Sequence, residues 1–167
     1  MGLTEDLEKI ATQERELHLP RFDTQVAWEL GSRIRAMAVE RGRGLVVDVR
    51  RFGQPLFYAA LSGATPDNVE WVRRKSNVVA RFHRSSYAVG MTLKLKGATL
   101  LDRYGLPVAD YAADGGSFPL VVESAGIVGS ITVSGLPQRD DHDLVVEALC
   151  AHLERDFAAL RLGPESA

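Results

Sequence analysis

The sequence predicts an α+β fold, in which an antiparallel sheet carries helices on its faces. Three observations lead there. Two pairs of short apolar segments, within residues 45–61 and 117–135, each read as a hairpin. A helical pattern separates the pairs, and no single strands alternate with helices as a doubly wound parallel sheet requires. Four stretches place apolar residues at a spacing of three and four.

The first of these covers residues 3–17, with Leu3, Leu7, Ile10, Ala11 and Leu17 on one stripe, Thr4 able to cap, and Pro20 marking the gap after it. A second helix opens at Asp23-Thr24, with Asp23 as N-cap. It turns Val26, Ala27, Leu30, Ile34, Met37 and Ala38 inward and leaves Trp28 one step off that face. Arg41-Gly42-Arg43-Gly44 closes it with basic residues and glycine. Residues 45–52 read as a strand in which Asp48 and Arg50 alternate with Val47 and Val49. Gly53-Gln54-Pro55 is a turn, and residues 56–61 return as the partner strand. A polar loop, 62–68, leads into a helix that carries Val69, Val72, Val79 and Phe82 and ends near 83–86. Residues 87–96 are open between a helix and an edge segment, and 100–113 read as an irregular excursion.

Glycines at 115, 116, 126, 129 and 135 punctuate the next stretch, with β-branched apolar residues between them. A tight loop, a strand, a turn at 124–126 and a second buried strand follow from that pattern. The last helix is expected to run unbroken from Asp140 or Asp141 to Leu160, with Leu144, Val145, Ala148, Leu149, His152, Leu153 and Phe157 inward.

Composition narrows the function. The chain has 167 residues, 46% hydrophobic and 25% charged, with a net charge of −2. That length suits one domain, and that charge gives no global case for nucleic acid or an anionic membrane. No apolar run approaches the roughly 20 residues a membrane-spanning helix needs. The acidic start lacks an apolar leader core, so a cytoplasmic location is expected. A lone cysteine, Cys150, rules out an internal disulfide and a multi-cysteine zinc site, and its mid-helix position reads as core.

Three groupings can carry chemistry. Trp71-Val72-Arg73-Arg74-Lys75, with Arg81, His83 and Arg84 after it, concentrates cations on one helix. Arginine forks there would grip a carboxylate or phosphate, although a charge run is ordinarily a solvated face. Asp140-Asp141-His142-Asp143 opens the last helix, where the dipole favours acids and the aspartates read as caps. His142 follows the glycine-rich stretch and is a candidate ligand group, while His18 and His152 read as structural. Ser85, Ser86, Tyr87 and Ser134 lack the Gly-x-Ser-x-Gly elbow, and no phosphate-binding or dinucleotide glycine motif occurs. The expected ligand-binding set is Arg74, Lys75, Ser86, Gly115, Gly116, Ser134 and His142, with bent glycine backbone and a helix start forming an anion niche. No metal site is expected.

Residues 68–79 with Ser85-Ser86-Tyr87, and the blocks 115–120, 128–137 and Asp141-His142, resemble the UPF0303 family. That group lies within the haem-degrading domain superfamily of GlcG-like and HbpS-like proteins, and the resemblance spans about Leu3 to Leu160. It implies one such domain over residues 1–167, a profilin-like three-layer sandwich with a five-stranded antiparallel sheet, and assembly into homo-oligomers. For some relatives it implies haem binding. The resulting expectation is an oligomeric small-molecule binding protein, for haem or a small anion. The alternatives are a non-catalytic adaptor docking a protein through the basic helix, as a eukaryotic relative implies, and a haem-degrading enzyme with His142 or His83 as acid/base.

Overall fold

A computed structural model describes residues 2–165 of the chain. The elements are α1 (Leu3–Glu16), α2 (Thr24–Glu40), β1 (Val46–Arg51), β2 (Gln54–Ala60), α3 (Pro66–Phe82), α4 (Ser86–Leu95), α5 (Leu100–Tyr104), β3 (Ser117–Val122), β4 (Gly126–Ser134), α6 (Gln138–His152) and α7 (Phe157–Leu160). The strands form one antiparallel sheet in the order β2-β1-β4-β3.

The sheet has four strands among the described residues, where five were expected. Beyond β3 the chain leaving α1 makes a single parallel bridge, Leu19 to Val122. Leu19 donates to Val121 O at 2.7 Å and accepts from Glu123 N at 3.1 Å. Pro20 comes next and has no N–H to extend the ladder.

Local chemistry explains most boundaries. Asp23 accepts Val26 N–H at 2.9 Å and starts α2. Ser85 accepts Ala88 N–H at 3.2 Å, which resolves the open segment as helix α4. Thr99 caps α5 in the same way through Asp102 N–H at 3.1 Å, inside the stretch expected to be irregular. The expected unbroken last helix is divided. Glu154 adopts φ 55°, and Arg155 N turns back to Cys150 O at 2.8 Å. Asp156 then caps the short α7.

Strand alternation sorts the sheet into two unlike faces. Val47, Val49, Phe118, Leu120, Ile131 and Val133 point to the main core, where α2 supplies Leu30 and Ile34 and α6 supplies Leu144, Val145 and Leu149. Burying each such side chain contributes about 1.5–3 kcal/mol. The register puts Asp48 opposite Thr132, Thr132 opposite Ser117, and Arg50 opposite Ser130 on the other face. There α3 lies on the sheet and adds Lys75 and Ser76, both buried.

Candidate functional site

The polar face is saturated with internal bonds toward its middle. Arg50 grips the fully buried Asp48 carboxylate with two hydrogen bonds, at 2.7 and 2.9 Å. Ser117 Oγ and Thr132 Oγ1 lie 2.8 Å apart, and Ser117 N–H donates to Ser86 Oγ at 3.0 Å. Satisfied partners of this kind are what make buried polar groups tolerable.

Toward the N-terminal end of α3 the same layer opens into a cleft of about 270 Å³. Asn68, Trp71 and Lys75 line it from α3, Ser134-Gly135-Leu136 from the end of β4, Gln138 and Asp141 from α6, and Asp114 from the preceding loop. Lys75 projects under α3 and is only 3% exposed. Its Nζ donates to Asp141 Oδ2 at 3.0 Å and to Val133 O at 3.3 Å, two of the three bonds an ammonium can make. Asp141 is 1% exposed, and its other oxygen accepts Leu136 N–H at 3.0 Å. Burial pushes the Asp141 carboxyl up to about 6, against the opposing pull of Lys75 and the amides of Leu136 and Gly135. Above that value the pair is ionic.

The glycine loop packs against the lining residues. Gly116 holds φ 134°, and a Cβ there would meet Val133 O, lie 2.8 Å from Lys75 Nζ and 3.2 Å from Asp141 Cβ. Gly115 donates to Gln138 Oε1 at 3.1 Å, and a Cβ on it would run into Gln138 O. A side chain at 116 would crowd the ion pair, and one at 115 would collide with the Gln138 backbone.

Of the residues expected to bind, Lys75 and Ser134 line this cleft, while Gly115 and Gly116 pack behind its lining residues Gln138, Lys75 and Asp141. Arg74, Ser86 and His142 lie outside its lining. Arg74 stacks over Trp71, its Cζ 4.2 Å from the ring centroid, and reaches Val108 O at 3.4 Å. Arg73 donates to Ala109 O at 2.7 Å and to Asp110 at 3.1 Å, and Asn77 donates to Asp110 O at 2.8 Å. The basic run therefore straps residues 108–110 of its own chain onto α3. Ser86 is bonded within the Ser117 network.

His142 is sealed below the loop. Its Nε2 donates to Gln13 Oε1 at 2.8 Å, since Gln13 Nε2 is itself donating to Leu160 O at 2.7 Å. The ring packs on Tyr87 and Phe118, with centroids 5.4 and 5.9 Å away. Its Nδ1 has no partner among the described residues. Burial, helped by Arg139, holds its pKa down at about 3, so the ring is neutral.

Sequence reasoning passed over Asn68, Trp71, Asp114, Gln138 and Asp141 as binding groups. Asp141 read as a cap, and nothing local distinguishes it from Asp140 or Asp143. The signal lies in its pairing with Lys75, 66 residues away.

Comparison with known proteins agrees with the architecture. The model of the family described as "Haem degrading protein HbpS-like" matches residues 22–150. A UPF0303 protein of Burkholderia cenocepacia is 60% identical over 162 residues, covering 97% of this chain and 98% of its own. One from Paraburkholderia phymatum is 58% identical over the same length and coverage. Among solved structures, the Ybr137w protein superposes with a TM-score of 0.82 at 27% identity, over 89% of this chain and 87% of that one. A PduOC–haem complex superposes with a TM-score of 0.65 at 17% identity, over 80% and 94%, a likeness of fold.

Proposed function

Because this chain belongs to the HbpS-like haem-degrading protein family, and within it to the UPF0303 proteins, we propose that it is an oligomeric binding protein for a compact polar metabolite held in the α3/α6 cleft. The observation that carries this reading is the Lys75–Asp141 pair, buried yet set in the wall of a cavity. A buried ion pair is a poor device for stability, since apolar residues of like volume do as well. One that keeps an N–H and a carboxylate edge toward a cleft is a recognition device.

The lining defines the ligand. One ammonium faces two carboxylates, Asp114 and Asp141, with the amides of Asn68 and Gln138, the Ser134 hydroxyl and the Trp71 indole around them. A bare anion would meet more negative than positive charge. A hydroxy acid or amino acid suits the cleft, with its carboxylate toward Lys75 and its hydroxyl or ammonium toward Asp114. The small-anion expectation is sharpened in this sense.

Haem does not fit this cleft. Its lining holds no imidazole, thiol, thioether or phenol to serve as axial ligand to iron. An adaptor role for the basic helix finds no support, because Arg73, Arg74 and Asn77 are spent on residues 108–110. Acid–base chemistry here would rest on Asp141, since His142 is enclosed away from the cleft.

Native mass spectrometry of the purified protein tests the reading. The expected result is more than one subunit with a small organic molecule retained, and loss of that molecule in Trp71→Ala. The reading fails if the wild type carries none and if hydroxy and amino acids leave the NMR amide signals of 68–75 and 134–141 unmoved.

A further inference from the structure

A second concavity lies at the far end of α3, away from the Lys75–Asp141 pair. It is a groove of about 110 Å³ between Phe82, one face of α4 and the short α5. Its floor is Val89 and Leu93, which stand on successive turns of α4 and belong to a small core with Val78, Leu100 and Leu106. That cluster is separate from the main core under the sheet. One end is closed by the edge-to-face pair of Phe82 and Tyr104, with centroids 4.8 Å apart.

The rim is cationic. Arg84, Lys96 and Arg103 line the groove, and no carboxylate does. Arg84 is engaged with Glu14 at 3.3 Å. Lys96 and Arg103 form no ion pair among the described residues, and the Arg103 guanidinium lies 6.0 Å from the Tyr104 ring centroid. Thr92 spends its hydroxyl proton on Ala88 O at 2.8 Å, so it offers the groove no donor. The two concavities on α3 thus have opposite balances. The cleft sets two acids against one cation, while the groove sets three cations against none.

We propose that this groove is a binding site for a single-chain anionic amphiphile, the alkyl chain lying on Val89, Leu93 and Phe82 and the carboxylate held by Lys96 and Arg103. Charge selects the occupant. A neutral apolar molecule would leave two cations beside a low-dielectric floor without a partner, whereas a carboxylate makes charge-assisted bonds to them. The groove's size admits one chain and no bulky ring system.

The test is titration of the intact protein with decanoate below its micelle concentration, followed by amide NMR. Saturable shifts are expected at residues 82, 89, 93, 96 and 103–104. The neutral 1-decanol should bind about tenfold more weakly, the equivalent of about 1.4 kcal/mol. K96E/R103E should lose decanoate binding by a similar factor while its remaining spectrum stays native, and Arg81→Glu, on the same helix but outside the lining, should bind as wild type does. Equal binding of 1-decanol, unchanged binding by K96E/R103E, or shifts confined to the α3/α6 cleft would each overturn the proposal. So would binding to phosphatidylglycerol vesicles with none to free decanoate, since a membrane surface rather than a single chain would then be the occupant.

Discussion

The two faces of the sheet bury opposite chemistries in equal depth. On the α2/α6 side Val47, Val49, Phe118, Ile131 and Val133 meet Leu30, Ile34, Val145 and Leu149. On the α3 side the alternate residues of the same strands include the buried Asp48, Ser117, Ser130, Thr132 and Ser134 and the half-buried Arg50, with Lys75 and Ser76 above them. The first face stabilises through apolar area, which is non-directional and tolerant of exchange. The second must satisfy each polar atom with one particular partner. A concavity on the first face would be a defect, whereas on the second it leaves directed groups facing open space. That difference places the cleft on the α3 side.

The contrast can be broken most severely from the polar side. Asp141→Asn leaves the Lys75 ammonium buried without a counter-charge and is expected to cost about 3–5 kcal/mol in chemical denaturation. Adding Lys75→Met to that variant should recover most of the loss while ligand binding stays absent. Recovery of both would remove the case for a recognition role. On the apolar side Ile131→Ala should cost roughly 2–5 kcal/mol through lost transfer and a residual cavity. It should leave the ligand's dissociation constant within a few-fold, because Ile131 is not part of the cleft lining.

Gly116→Ala sits between the two. Its φ of 134° and its crowding against Val133 O and Lys75 are expected to cost about 1–3 kcal/mol and to abolish ligand binding. Native mass spectrometry and a thermal melt together separate those effects.

Acid sharpens the comparison with smaller changes. His142 is held at about 3 against an ordinary value of 6.5, so its contribution is full above pH 6.5 and is lost as pH falls toward 3. Asp141 and Asp143 are raised by burial from 3.8 to about 6. Their contribution runs the other way, full below 3.8 and lost as pH rises through 6. His142→Gln should therefore lose less stability than the wild type on acidification from neutral pH, read from urea midpoints. An unchanged acid profile would mean that the ring is not sealed. The smallest effect is expected at Arg74→Ala, within about 0.5 kcal/mol, because its reach to Val108 O is long and lies at the surface.

Much of the fold could be read locally. Asp23 before an apolar stripe gave α2 its start, and the alternation of Asp48 and Arg50 with Val47 and Val49 anticipated the two faces of β1. Glycine at 115 and 116 marked a close backbone approach, because steric demand at a glycine is a local property. Four features escaped, the first being helix α5 inside the stretch expected to be irregular. The segment of α4 stayed open although its cap is local, Ser85 accepting Ala88 N–H, and Glu14 fixes that cap by holding Ser85 N–H at 2.7 Å from a distant segment. The break after His152 depends on Glu154 turning to positive φ, which glutamate does not advertise. Among the described residues the expected fifth strand is reduced to the single bridge at Leu19, which Pro20 cannot extend.

The binding groups divide in the same way. Arginine-rich residues 73–74 offered an anion clamp or a solvated face because charge density is visible in sequence, but their partners are the carbonyls of Val108 and Ala109 and the carboxylates of Asp110 and Glu70 in the same chain. Asp141 read as one cap among three acids, because a carboxylate's partner is invisible until the chain closes.

By itself the sequence determined helix spacing, strand alternation, the caps and the glycine bends, and with them an antiparallel sheet under helices. All of these are set by neighbours within a turn or two. Only the tertiary structure decided that Lys75 would meet Asp141, that Arg74 would lie on Trp71, and that His142 would be walled off by Tyr87 and Phe118. Whether a charge is free to bind depends on what lies within a few ångströms of it, and residues far apart in sequence come that close only when the sheet and α3 pack.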